Sequence, residues 1–256
     1  ISKIREHGAS MDKAEDAIID DNVQNVSGMR GQTGSFSFTK KSDKIVTYNI
    51  DSDDRVIKAD WARNGVFADG VEFVLKPQKN TNSQTILQSS GGFHNSTSSL
   101  WDVVLQPSQS SNLKARLQFR LNTSLTGSLD FNHVDNRVSM STDYFELKNQ
   151  NFWNVLLQRT EGPPLRDLKV GTPSVVTHSY QLYVGEQKDD SIRVFDAVSM
   201  SLHGNEYSHS AANWGQTGSR HTLSGSNLII GTTYTGSIAE FRTWKYALSA
   251  SKFKQR

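Results

Sequence analysis

Past residue 34 the chain reads as a series of short runs in which apolar and polar residues alternate, broken by clusters of Gly, Asn, Ser and Asp. The clearest runs are 35–40 (SFSFTK), 44–50 (KIVTYNI), 70–77 (GVEFVLKP), 84–90 (QTILQSS), 101–107 (WDVVLQP) and 114–121 (KARLQFRL). They continue at 152–160 (FWNVLLQRT), 179–185 (SYQLYVG), 191–200 (SIRVFDAVSM), 227–231 (NLIIG) and 236–244 (GSIAEFRTW). A period of two with polar turns between runs predicts β-strands in antiparallel sheets, and strands so numerous and so short predict two stacked sheets. No strand–helix–strand alternation occurs, which argues against a parallel α/β scaffold.

The first stretch has a different period. Ile1, Ile4, Met11, Ala14 and Ile18 fall at helical spacing among acidic residues, so residues 1–27 are expected to form a helical connector. Gly28, Gly31 and Gly34 then mark a hinge into a single β domain over 28–256. The tail 247–256 (ALSASKFKQR) again predicts a helix.

Within this frame the apolar residues of the Trp-bearing runs are assigned to the core: Trp101, Trp153, Val155, Leu157, Ile238, Phe241 and Trp244. The last three fit one strand only if it carries an irregularity. Glu240 and Arg242 then share a face two residues apart and are placed to pair.

Composition narrows the function classes. In 256 residues, 28 Lys and Arg nearly balance 26 Asp and Glu, so no dedicated nucleic-acid surface is expected. No apolar run is long enough for membrane insertion as a helix. The chain has no cysteine, which removes disulfides, thiolate zinc sites and a cysteine nucleophile together. That absence fits a bacterial or viral source better than an animal extracellular module. A start at Ile1 and a stop at Arg256 are read as cuts from a longer protein.

The order of segments resembles the laminin G-like, concanavalin A-type jelly roll. The opening pair SFSFTKKSDKIVTYNI, the strand GVEFVLKP and the Trp-containing NFWNVLLQRT fit it, and the most specific match is NLIIGTTYTGSIAEFRTWKYALSASKFKQ at the end. The resemblance covers about residues 34–256 and implies an all-β, two-sheet jelly-roll sandwich. It also implies that calcium is the cofactor to consider, at a rim of the sandwich; no ligand set carries over residue by residue, and Asp189 and Asp190 are the candidates this sequence offers.

Folds of this type include glycoside hydrolases, which need two carboxylates held a few ångströms apart. No Glu-x-Asp-x-Glu run is present, and Asp53–Asp54 and Asp189–Asp190 are adjacent pairs of the kind found in turns. No Gly-x-Ser-x-Gly elbow or phosphate-binding Gly-x-x-x-x-Gly-Lys loop occurs. His203, His209 and His221 have no zinc spacing. The chain is therefore expected to act through its surface and not as an enzyme.

The connection 203–221 (HGNEYSHSAANWGQTGSRH) is the leading surface candidate. Tyr207 and Trp214 could cover the apolar face of a sugar while His203, His209 and Asn213 bond its hydroxyls; alternatively Trp214 folds inward to anchor the loop. Phe93, His94 and Trp101 in 89–102 form a second aromatic group, with Trp101 assigned to the core. Two functions lead on these residues, with a glycoside hydrolase of the same fold as a third. One is a lectin-like module of a surface or virion protein that recognises a glycan or protein on a cell surface. The other is a structural subunit of a tail fibre, baseplate or surface filament, packed against other subunits.

Overall fold

The computed structural model describes residues 17–19, 24–26, 35–40, 43–47, 49–50, 56–57, 70–90, 99–122, 137–159, 175–188, 191–205, 228–244 and 247–255. In chain order the strands are β1 (Ala17–Ile19), β2 (Gln24–Val26), β3 (Ser35–Phe38), β4 (Ile45–Thr47), β5 (Asn49–Ile50), β6 (Val56–Ile57), β7 (Gly70–Pro77) and β8 (Gln84–Ser90). They continue with β9 (Ser99–Pro107), β10 (Ala115–Asn122), β11 (Arg137–Ser141), β12 (Phe152–Arg159), β13 (Val175–Lys188), β14 (Ser191–Asn205), β15 (Leu228–Ile230) and β16 (Gly236–Trp244). One short helix, α1 (Ala250–Lys254), follows.

The strands form an all-β sandwich. Sheet A has the order β1-β4-β15-β8-β9-β10-β11 and sheet B the order β14-β13-β12-β7-β16-β3-β2, with β5 and β6 as a separate pair. Each recorded pairing is antiparallel. No helix of the described residues is long and apolar enough to cross a membrane.

Strict alternation is clearest in β10. Ala115, Leu117, Phe119 and Leu121 enter the core, so Arg116, Gln118 and Arg120 stand on the outer face of sheet A. From β9, Trp101, Val103 and Leu105 meet them in the core. Sheet B supplies Val71, Phe73 and Leu75 from β7, Trp153, Val155 and Leu157 from β12, and Tyr180, Leu182 and Val184 from β13. The core assignments of Trp101, Trp153, Val155, Leu157 and Ile238 hold.

The imperfect alternation of β12 has a structural reason. Leu156 points away from the main core but is fully buried, because it packs with Tyr183 and Phe253 in a second apolar cluster on the outer face of sheet B. The helix α1 brings Phe253 onto that face, starting at Ser249, whose Oγ accepts a hydrogen bond from the Lys252 amide at 3.3 Å. A strand that is covered on both sides can carry apolar residues at successive positions.

Strand β16 carries the irregularity that its sequence required. Its register against β7 shifts between Ala239 and Arg242, and Glu240 sits at φ 49°. The extra residue lets both Ile238 and Phe241 face the main core. It also turns Trp244 outward: this side chain packs in the second cluster, not in the main core where it was expected.

The N-terminal stretch differs from the helical connector. Ala17–Ile19 pairs with β4 as an edge of sheet A, and Gln24–Val26 pairs with β3 as an edge of sheet B. At these positions β-branched Ile18, Ile19 and Val26 gain ladder partners that a solitary helix lacks. The remainder of 1–27 lies outside the described residues.

Candidate functional site

Six of the residues singled out at the rim, Tyr207, His209, Asn213, Trp214, Asp189 and Asp190, lie outside the described residues, as do Asp53, Asp54, Phe93 and His94. His203 lies in β14 opposite Thr177 of β13. That register separates the two candidate rims. Lys188 pairs with Ser191 at one end of the β13–β14 ribbon, flanking Asp189–Asp190, whereas Val175 pairs with Asn205 at the other. At about 3.3 Å per residue the ends of β14 stand about 45 Å apart.

The described residues do contain one built polar surface, on the outer face of sheet A. The register of β9 with β10 sets Asp102 opposite Arg120, Val104 opposite Gln118 and Gln106 opposite Arg116. On the other side, β11 sets Ser139 opposite Arg120 and Ser141 opposite Gln118. All of these positions therefore share one face.

Arg120 makes a two-pronged ion pair with Asp102, Nε to Oδ1 at 2.6 Å and Nη2 to Oδ2 at 2.5 Å. The side chain of Asp102 is only 6% exposed, which strengthens the pairing by excluding water. Next to it runs a directed chain of hydrogen bonds. Arg116 Nε donates to Gln106 Oε1 at 2.8 Å, Gln106 Nε2 donates to Gln118 Oε1 at 2.5 Å, and Gln118 Nε2 donates to Ser139 Oγ at 3.1 Å. Each amide is thereby fixed in one orientation.

Beside this chain stands Tyr144, the exposed large hydrophobic residue of the described part at 43%. The Arg116 guanidinium carbon lies 5.1 Å from its ring centre. Its support is rigid. Phe145 exchanges two backbone hydrogen bonds with Ala115, at 2.9 and 3.0 Å, and packs inward against Trp153. Phe145 is thus turned to the core and its neighbour Tyr144 to the outer face. Just before them the ladder breaks: Leu117 N donates to Thr142 Oγ1 at 3.0 Å, and Asp143 N donates to Asp196 Oδ2 across the sandwich at 3.0 Å. Just after them, buried Lys148 closes the segment, its amide bonding Leu113 O at 3.1 Å and its Nζ donating to Asn80 O. Burial pushes the Lys148 pKa down.

The sequence marked 114–121 as a strand but singled out neither Arg116, Gln118 and Arg120 nor Tyr144 as site residues; the strand's alternation puts the first three on one face. Tyr144 follows β11, and only the bridge between Ala115 and Phe145 brings it next to Arg116.

A second polar group lies on the outer face of sheet B. Arg242 Nη2 bonds Glu240 Oε2 at 2.8 Å, as their spacing suggested, and Arg242 Nη1 lies 3.9 Å from Glu72 Oε2. Glu72, which is buried, also accepts from Trp244 Nε1 at 2.8 Å. The arginine stands between the two carboxylates and offsets one of their two negative charges, an arrangement suited to holding β16 against β7. Among the described residues no group of three or more His, Asp or Glu could hold a metal ion.

No family model matches the sequence, and no curated protein matches it. Solved structures do resemble it in outline. Full-length tailspike protein 2 from Escherichia coli O157:H7 bacteriophage CAB120 has a TM-score of 0.47 and 12% identity over 91% of this chain and 25% of that one. The binding domain of botulinum neurotoxin DC, in complex with SialylT, has a TM-score of 0.46 and 12% identity over 91% of this chain and 43% of that one. An alginate lyase from Pseudomonas aeruginosa has a TM-score of 0.37 and 11% identity over 88% of this chain and 86% of that one. The chain thus spans a quarter of the tailspike and under half of the toxin domain. At this level of likeness none of them carries an activity or a ligand across to this chain.

Proposed function

We propose that this chain is a non-catalytic glycan-recognition module of a larger surface or virion protein, and that it reads its ligand on the outer face of sheet A. The observation that carries the reading is the exposed ring of Tyr144 set beside the fixed chain Arg116–Gln106–Gln118–Ser139. An exposed aromatic face covers the apolar side of a sugar ring, and oriented amides and hydroxyls meet its hydroxyl groups. Such a surface works best when its side chains are already ordered, since little rotamer freedom is then lost on binding. The reading moves the ligand from the rim residues Tyr207, Trp214, His203, His209 and Asn213 to the sheet. A non-catalytic role is supported by Glu72 and Glu240 both being tied to Arg242.

An oligosaccharide array tests this. The folded protein should give hits that disappear in Tyr144→Ala and persist in Trp214→Ala. Hits that disappear only in Trp214→Ala would return the site to the rim, and a silent array would contradict glycan recognition.

A structural role in an assembly is favoured by a separate observation. Among the described residues β14 is an edge of sheet B, and the pairs from Val175↔Asn205 to Ser179↔Ser201 have no β12 partner beyond Tyr180. An unpaired edge is a place for another chain to dock. Light scattering showing only monomers at high concentration would count against it.

A further inference from the structure

Resting on that reading of the sheet A face, we infer that the saccharide it takes is acidic and that its anionic group is met by Arg116. Two arginines stand on the same face of β10, and the register treats them differently. Arg120 faces Asp102, which neutralises it through two hydrogen bonds. Arg116 faces Gln106, an uncharged amide that accepts from its Nε alone. No carboxylate among the described residues pairs with Arg116. Its two terminal nitrogens keep their donors, and the planar fork matches a carboxylate or sulfate.

The position of this cation, which has no carboxylate partner among the described residues, points to a ligand. The guanidinium lies over one face of the exposed Tyr144 ring, 5.1 Å from its centre, so a sugar packed on the ring's remaining exposed surface would have this cation within reach of an acidic substituent. The bond to Gln106 holds the fork in place, and Gln118 on the far side of Gln106 continues the chain toward neutral hydroxyls. A purely structural arginine on this sheet would be expected to have the arrangement of Arg120. A half-exposed cation with no carboxylate beside it among the described residues costs little in water and becomes an asset when an anion arrives.

The test uses the intact chain and two matched probes: oligogalacturonate and its carboxyl-reduced form, with a sulfated neutral oligosaccharide as a third arm. Calorimetry should show binding of oligogalacturonate or the sulfated oligosaccharide, the stronger of the two identifying the preferred anion. Binding should weaken as salt is raised. Arg116→Gln should reduce affinity for the acidic probe about tenfold or more, with an unchanged melting temperature, while Arg116→Lys retains part of it. Equal affinity for the reduced and the acidic probe, lost in Tyr144→Ala but not in Arg116→Gln, would overturn the acidic assignment and leave glycan recognition standing. Absence of binding to all three probes would overturn both.

Discussion

The side-chain amide of Gln158 bonds both backbone groups of Leu248: Nε2 donates to the Leu248 carbonyl at 2.9 Å, and Oε1 accepts from the Leu248 amide at 2.7 Å. Gln158 has no exposed surface, and Nε2 also donates to Gln181 Oε1 at 2.7 Å. One side chain thus takes the place of a neighbouring strand and fixes the segment leading into α1, which covers Leu156 and Tyr183.

Replacing Gln158 by Ala takes from the half-buried Leu248 the partners of both its backbone amide and its carbonyl. The expected loss is about 2–4 kcal/mol, from two groups at about 1–2 kcal/mol each. Urea unfolding measures it; a loss under half a kilocalorie per mole would show that the C-terminal cover is not held this way.

Gly231 is the glycine of the run NLIIG, and its φ of +87° together with Phe38 explains why no side chain belongs there. A Cβ would stand 2.2 Å from Phe38 Cε1, and Phe38 is itself buried and packed edge-on against Tyr234 at 5.9 Å. Gly231→Ala combines a disfavoured backbone with an overpacked core and should destabilise by about 2–4 kcal/mol. Thermal unfolding checks this, and an unchanged midpoint would contradict the packing described.

Tyr234 is fully buried and its hydroxyl donates to Ser237 O at 3.2 Å. Burial raises its pKa well above the ordinary tyrosine value of 10.0. Between those two values the folded chain holds a proton that the unfolded chain has released, so the stabilisation present below pH 10 falls as pH rises toward the folded pKa. Tyr234→Phe should cost about 1 kcal/mol at pH 8 through the lost hydrogen bond. That deficit should shrink or reverse at about pH 11, as the wild type alone carries this penalty. Denaturation midpoints at the two pH values decide it, and a constant difference would refute the linkage.

Glu72 carries the ion group on sheet B. Glu72→Ala leaves Trp244 Nε1 without its acceptor and removes one of the two carboxylates beside Arg242, so a loss of about 2–3 kcal/mol is expected. Glu240→Ala, in which the half-buried Arg242 keeps Glu72, should cost under about 1 kcal/mol. Equal effects of the two substitutions would contradict the assigned roles.

Much of the fold was legible because alternation is a local signal. Phe119 in the core with Arg116 and Arg120 outside follows from KARLQFRL alone, and spacing anticipated both the irregularity in β16 and the Glu240–Arg242 pair. What remained hidden depends on partners distant in sequence. Leu156 and Trp244 meet Phe253 only because α1 folds over sheet B, and Ile18 becomes a strand residue only through pairing with Val46. The candidate site was not singled out in the sequence: alternation in 114–121 implies a shared face for Arg116 and Gln118, whereas Tyr144 reaches that face through the bridge between Ala115 and Phe145, which no periodicity encodes.

The most direct test of the proposed reading surface is to follow backbone and side-chain NMR signals while oligogalacturonate is added to the full chain. The account predicts that the largest shifts fall on Tyr144, Arg116, Gln106 and Gln118, with little change at His203 or α1. Shifts concentrated around His203 and the end of β14, with the sheet A face silent, would contradict it.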